Sequence, residues 1–238
     1  MNLKGKIAVV TGASKGIGKA ISLALAERGC DLVLTARNGS DLKEAEKEVS
    51  RAGVKVLAVS ADVRNLQDIE KLAQVTEREL GVASILVNNA GIGRFSEVLQ
   101  MTGDDFRSIL ETNLFGVFYC TRSFLPGMIQ QKEGHIINIA SLAGKNPFAG
   151  GSAYCASKSA LIAFAECLML EIRHHNIKVS TICPGTVQTE FGSSGHRDKT
   201  WALTSEDVAT AVLDVLTTSP GSLISMVDLR PLTPPQKR

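Results

Sequence analysis

Residues 7–10 form a short apolar run, and after Gly16 the apolar residues Ile17, Ala20, Ile21, Ala24 and Leu25 recur at i, i+3, i+4, i+7 and i+8. The first pattern predicts a strand covered on both faces, the second an amphipathic helix with one buried stripe. The alternation continues along the chain. Strands are predicted at 31–35, 54–59, 85–87, 135–139, 179–183 and 223–227. Helices are predicted around Leu42, Ala45, Val49 and Ala52, around Ile69, Leu72, Ala73 and Leu80, and over 104–129, 153–174 and 205–216. Repeated strand–helix units with right-handed crossovers imply an α/β fold, a doubly wound and mainly parallel sheet of about seven strands with helices on both faces. With no repeat, linker or low-complexity tract, residues 1–238 read as one domain, and the proline-rich tail 229–238 as extended or frayed.

Composition narrows the function classes. The 26 Lys+Arg against 24 Asp+Glu give a net charge of +2, which supports neither nucleic acid nor an anionic membrane as partner. No uncharged apolar run approaches the roughly 18–20 residues of a spanning helix, and the four apolar residues after Lys6 are too few for a signal peptide. Cysteines 30, 120, 155, 167 and 183 are odd in number and lack C-x-x-C spacing, which fits reduced thiols and a cytoplasmic location. Histidines 135, 174, 175 and 196 show no metal-ligand spacing and read as solvated or helix-terminal. No metal is expected.

Between the first strand and first helix lies Thr11-Gly12-Ala13-Ser14-Lys15-Gly16-Ile17-Gly18. Glycines there allow a sharp turn and a close approach to a pyrophosphate, with the helix N-terminus facing the phosphates. The context makes this a dinucleotide-binding turn of a Rossmann-type fold, with G-x-x-x-G-x-G spacing. An NAD binder places an acidic residue at the end of the second strand to take the ribose 2′-hydroxyl. Here the chain reads Thr35-Ala36-Arg37-Asn38, with no carboxylate before Asp41. Arg37, together with Lys15 of the turn, suits a 2′-phosphate, so the expected cofactor is NADP(H).

Tyr154 and Lys158 are four residues apart on one helix face. An ammonium near a phenol stabilises phenolate and lowers its pKa from about 10. Ser141 follows the fifth strand, on the side of the sheet where ligands bind. Singly, these residues read equally well as a strand-end cap and a core tyrosine. Together, downstream of a nucleotide turn, they read as a reacting set.

The chain resembles the short-chain dehydrogenase/reductase family in its compact form, from about residue 3 to residue 190. The resemblance rests on T-G-x-x-x-G-x-G at 11–18, Asp62-Val63, Asn88-Asn89-Ala90-Gly91, Asn113, Ser141, Tyr154-x-x-x-Lys158 and Pro184-Gly185. It implies that Tyr154 is the general acid in reduction and that Ser141 polarises the carbonyl oxygen. Lys158 would bind the nicotinamide ribose and depress the phenol pKa, and Asn113 would position a water relaying protons to Lys158. It also places Asp62 and Val63 by the adenine, Asn89, Ala90 and Gly91 along the ribose, and Pro184 and Gly185 at the nicotinamide carboxamide. Val187 and Thr189 would touch that amide and the pyrophosphate. A homodimer or homotetramer through the long helix and the tyrosine helix is a further implication.

Among members, the chain is most similar to 3-oxoacyl-[acyl-carrier-protein] reductases, which makes 3-oxoacyl thioesters the leading substrate class. Two departures point elsewhere. The helix ends that would form a basic rim read Gln130-Gln131-Lys132-Glu133 and Arg173-His174-His175, weakly cationic for steering an acidic carrier. The lid segment 190–202 is short, and the ending Met226-Val227-Asp228-Leu229-Arg230-Pro231 replaces the usual V-D-G-G. Phe95, Leu142, Phe148, Phe191 and Trp201 are candidate apolar walls. The alternatives are a reductase of small ketones, diketones or pterin-type carbonyls and, from another class, a sensor that binds NADP without turnover.

Overall fold

The computed structural model describes residues 1–191 and 200–234. Its strands are β1 (Ile7–Thr11), β2 (Asp31–Ala36), β3 (Val56–Ser60), β4 (Ile85–Asn88), β5 (Gly134–Ile139), β6 (Ile177–Pro184) and β7 (Met226–Leu229). Between them lie α1 (Gly16–Glu27), α2 (Gly39–Val49), α3 (Leu66–Glu79), α4 (Gly103–Leu110), α5 (Gly116–Gln131), α6 (Ser152–Ile172) and α7 (Ser205–Leu216). The seven strands form one sheet in the order β3-β2-β1-β4-β5-β6-β7, parallel throughout. This is the expected doubly wound architecture.

Alternate strand residues serve opposite faces. Ala8, Val10, Leu32 and Leu34 pack with α1, α2 and α7 residues such as Ile21, Leu25, Val49 and Val212. Val9, Val33, Leu86 and Ile136 pack on the other face with Ile69, Leu72, Phe124, Met128 and Leu168. Coverage on both faces explains why the central strands read as continuous apolar runs rather than alternating ones.

Several boundaries differ from expectation. The long helix is α4 and α5 joined by a π-helical turn, Glu111–Phe115, which holds Asn113. β6 is longer than its apolar stretch because Ile177 through Ile182 pair in register with β5 and Thr181 through Pro184 with β7. β7 starts three residues later than expected. Lys178 Nζ and Ser180 Oγ donate to the carbonyls of Ser219, Ser222 and Ile224, so side chains satisfy the segment before it. Leu229 ends β7, and Arg230, Pro231 and Pro234 fold against the cleft described below, with Leu229 O accepting from Gly185 N. Residues 235–238 lie outside the described residues.

His135 is a further correction, being buried rather than solvated or helix-terminal. It sits in β5, between β4 and β6, with Nε2 2.8 Å from Ser180 Oγ. Burial, with Lys178 nearby, lowers its pKa to about 3. His174 and His175 lie in the 3-10 turn after α6, as a helix-end role requires; His196 lies outside the described residues.

Candidate active site

The strand order reverses between β1 and β4, where a doubly wound sheet opens a crevice at the carboxyl ends of its strands. A cleft of about 1690 Å³ occupies that place. Glycine geometry shapes its floor. Gly12 has φ +64, in the left-handed region that favours glycine. A Cβ on Gly18 would stand 2.3 Å from Gly12 O, so α1 approaches the turn only because that atom is missing. Thr11 Oγ1 accepts from the backbone N–H groups of Asn89 (3.0 Å) and Ala90 (2.9 Å), and Asn89 Nδ2 donates to the carbonyls of Thr11 and Gly12. These bonds tie the end of β1 to the end of β4. Lys15 is the N-cap of α1 in extended backbone and makes no side-chain cap bond, so the first-turn N–H groups face the cleft uncapped by a side chain.

Of the residues expected to meet a cofactor, Gly12, Ser14, Lys15, Gly16, Ile17, Arg37, Asp62, Val63, Asn89, Ala90, Gly91, Pro184, Gly185, Val187 and Thr189 line this cleft. Gly18 does not; it lies buried beneath the turn. Arg37 follows β2 at the cleft wall and makes no ion pair among the described residues. Lys15 is engaged, its Nζ 2.7 Å from Glu190 on the segment after β6. Asp62 is held by Arg64, whose guanidinium and backbone N–H keep its carboxyl below the usual carboxylate range. The uncapped helix start, the glycine cradle and Arg37 fit a dinucleotide carrying an extra phosphate.

Farther along the cleft, Ser141 caps the 3-10 turn Leu142–Gly144 by accepting from Ala143 N at 3.1 Å. Its hydroxyl also acts on the Tyr154 phenol, favouring the ionised form. Lys158 is buried one turn along α6, with Nζ donating to Ile139 O at 2.8 Å and standing 5.9 Å from the Tyr154 ring centroid. The electrostatics differ from the expectation of a depressed phenol pKa. Burial dominates and pushes Tyr154 up to about 12, the Ser141 hydroxyl opposing it, while burial brings Lys158 down to about 8. Both shifts disfavour the charged form, as desolvation must.

Asn113 lies behind the cleft, fully buried. Its Oδ1 accepts from Ile92 N (2.8 Å), and its Nδ2 donates to Ile92 O (2.9 Å) and Ser157 Oγ (3.0 Å). A Cβ on Gly91 would stand 3.3 Å from Asn113 Oδ1 and 3.7 Å from Lys158 Nζ, so both polar ends reach the same spot. Phe95, Leu142, Phe148, Phe191 and Trp201 all line the cleft. The sequence reading missed Thr11 as the β1–β4 tie, Ser157 as the partner of Asn113, Glu190 on Lys15, and the tail residues Arg230, Pro231 and Pro234. Thr11 was visible beside the glycines, but the others are brought in by tertiary packing and left no local signal.

The family model described as short chain dehydrogenase matches residues 6–200. The chain belongs to the short-chain dehydrogenase/reductase family. As a member it is an oxidoreductase. It is 36% identical to a metagenomic short-chain oxidoreductase solved in complex with NADP, over 98% of this chain and 100% of that one, with a TM-score of 0.87. A xylitol dehydrogenase solved with NAD+ is 28% identical, over 97% and 98% of the two chains, with a TM-score of 0.88. The 3-oxoacyl-[acyl-carrier-protein] reductase of Vibrio cholerae is 37% identical over 191 residues, 80% of this chain and 77% of that protein.

Proposed function

We propose that this short-chain dehydrogenase/reductase uses NADPH to reduce a carbonyl to a secondary alcohol, with Tyr154 as proton donor. The observation that carries the reading is the convergence of Ser141, Tyr154 and Lys158 in one cleft with the glycine turn and Arg37. The turn and the uncapped start of α1 would hold the pyrophosphate, Arg37 the 2′-phosphate, and Lys158 the nicotinamide ribose. The cofactor supplies hydride at the carbonyl carbon. Ser141 holds and polarises the oxygen, and Tyr154 gives it a proton. A phenol held up to about 12 keeps its proton at neutral pH and so has one to give to the oxygen. The Lys158 ammonium stabilises the phenolate left behind. Asn113 fixes the segment after β4 against α6, and we assign it to the relay that returns a proton through Lys158.

Because Lys15 is paired with Glu190, the preference for NADPH rests first on Arg37. One charge-assisted hydrogen bond contributes about 1.5–3 kcal/mol, on the order of ten- to hundredfold. Likeness to the Vibrio enzyme supports 3-oxoacyl thioesters as substrates. A second class, ketones and diketones with an apolar body, is favoured by the phenylalanines that line the cleft beside Tyr154. The test is oxidation of NADPH and NADH by the full chain against a panel of acyl thioesters, ketones and diketones. Turnover with NADPH preferred is expected. Equal catalytic efficiency with both coenzymes would refute the NADPH assignment, and binding with no turnover on any carbonyl would favour a sensor.

A further inference from the structure

Three phenylalanines from separate parts of the chain cluster at Tyr154, two against its ring and the third against one of those two. Phe95, after β4, meets it edge-on with centroids 5.6 Å apart and planes at 82°. Phe191, after β6, tilts against it at 5.6 Å and 53°. Phe148, before α6, stands 5.7 Å from Phe95. Two glycines seat these rings. A Cβ on Gly93 would lie 2.7 Å from Phe191 Cε1 and 3.1 Å from Phe95 Cζ, and one on Gly151 would lie 2.7 Å from Phe148 Cε2. Each added methyl would displace a ring, so the chain is shaped to seat Phe95 and Phe191 on the tyrosine and Phe148 against Phe95.

The rings nevertheless remain open to the cleft, Phe95 at 43%, Phe148 at 49% and Phe191 at 39% exposure. Large apolar side chains grouped in a concave site and left half-uncovered mark a ligand's place. Aromatic rings at this spacing gain more from another ring, through edge-to-face and offset contacts, than from an alkyl chain of equal area. A linear acyl thioester gains only area here, and its long polar arm finds nothing in the phenyl trio to bind.

We propose that Phe95, Phe148 and Phe191 form a substrate box for a flat, uncharged aryl ketone or aryl diketone whose carbonyl reaches Ser141 and Tyr154. The proposal rests on the carbonyl-reductase reading above. The reaction balances as that reading requires: the carbonyl carbon takes hydride from NADPH, the oxygen takes the Tyr154 proton, and aryl alcohol and NADP+ leave while solvent reprotonates the tyrosine.

The experiment measures kcat/KM of the full chain with NADPH for 1-phenyl-1,2-propanedione, 2,3-butanedione and acetoacetyl-CoA. It does so for the unaltered protein and for Phe148→Leu, Phe148→Tyr and Phe95→Leu, each checked for an unchanged thermal midpoint. Two added ring contacts should favour the aryl over the aliphatic diketone on the order of tenfold to a hundredfold. The ratio should collapse through KM in the leucine variants and survive in Phe148→Tyr. Preference for the thioester or for butanedione, or a ratio indifferent to leucine, overturns the box. If no carbonyl is turned over, the reductase reading fails by itself. Calorimetric titration of the NADP+-loaded protein with the aryl diketone then decides the box: binding that weakens in Phe148→Leu upholds it, and no binding removes it.

Discussion

Tyr154 and Lys158 are shifted by the same cause in opposite directions, and in the proposed mechanism the pair sets the pH dependence. Tyr154, held up to about 12, keeps its proton across the working range, whereas Lys158, brought down to about 8, does not keep its charge. Below pH 8 the ammonium is present to stabilise the phenolate that proton donation creates; above it the amine is neutral. The pH profile of kcat/KM for reduction should therefore be flat on the acid side and fall as pH rises through about 8. A profile flat to pH 10 would show that Lys158 stays charged and that its burial is offset by the bound cofactor. Tyr154→Phe removes the proton and keeps the ring packing against Phe95 and Phe191, so turnover should fall by about 10²–10⁴ with NADPH affinity little changed in fluorescence titration. Stability follows the same depressed lysine. The unfolded chain holds the Lys158 proton to near the ordinary lysine value of 10.5 and the folded chain only to about 8, so the unfolded state binds more protons between them. The contribution of this group to stability accordingly rises with pH across that window.

The elements that carry the site differ in how far their sequence announces them. The glycine turn was legible because an isolated pattern of small residues between an apolar strand and a periodic helix has few other uses. The π turn at Glu111–Phe115 was not, since its residues continue the helical period of α4 and α5 and its one extra residue is absorbed without a local signal. Asn113 shows what the turn secures. Its amide satisfies both main-chain groups of Ile92 and the Ser157 hydroxyl, which in turn donates to Tyr154 O at 2.7 Å. Asn113→Leu would orphan buried partners at about 1–3 kcal/mol each, and the urea midpoint should drop accordingly. Glu190 also lay outside the sequence reading, because its partner Lys15 is brought to it only by the fold. Both side chains are well exposed, so water and salt screen the pair and it holds weakly. In the proposed NADPH complex Glu190 would compete with the 2′-phosphate for the same ammonium. Glu190→Gln should tighten NADPH binding up to about fivefold and leave NADH binding unchanged; an equal effect on both would show that the pair does not involve the phosphate end.

At the scale of the molecule, topology was the most legible property, because strand–helix alternation admits few arrangements once crossovers are right-handed. What it hid was position within the sheet. His135 and Asn138 are polar residues on opposite faces of β5, yet this strand has neighbours on both edges and helices on both faces, so both are buried. Surface apolar residues were equally ambiguous in sequence, and the structure now sorts them. Phe95, Phe148 and Phe191 open into the cleft. Phe106 of α4, Phe115 of the π turn and Phe118 of α5 are 40%, 49% and 41% exposed away from it. Phe115 and Phe118 pack on Tyr119, and Phe118 reaches Phe164 of α6, so an aromatic patch runs from the long helix to the tyrosine helix. Aromatic side chains are enriched where protein surfaces meet. We propose that a second copy of the chain covers this patch, as the family resemblance implied. Sedimentation equilibrium should show a dimer or tetramer, and Phe118→Asp, which puts a charge into the middle of the patch, should shift it toward monomer while the thermal transition stays cooperative. A monomer in the unaltered chain would leave these rings without an isologous partner and send the search for their cover elsewhere.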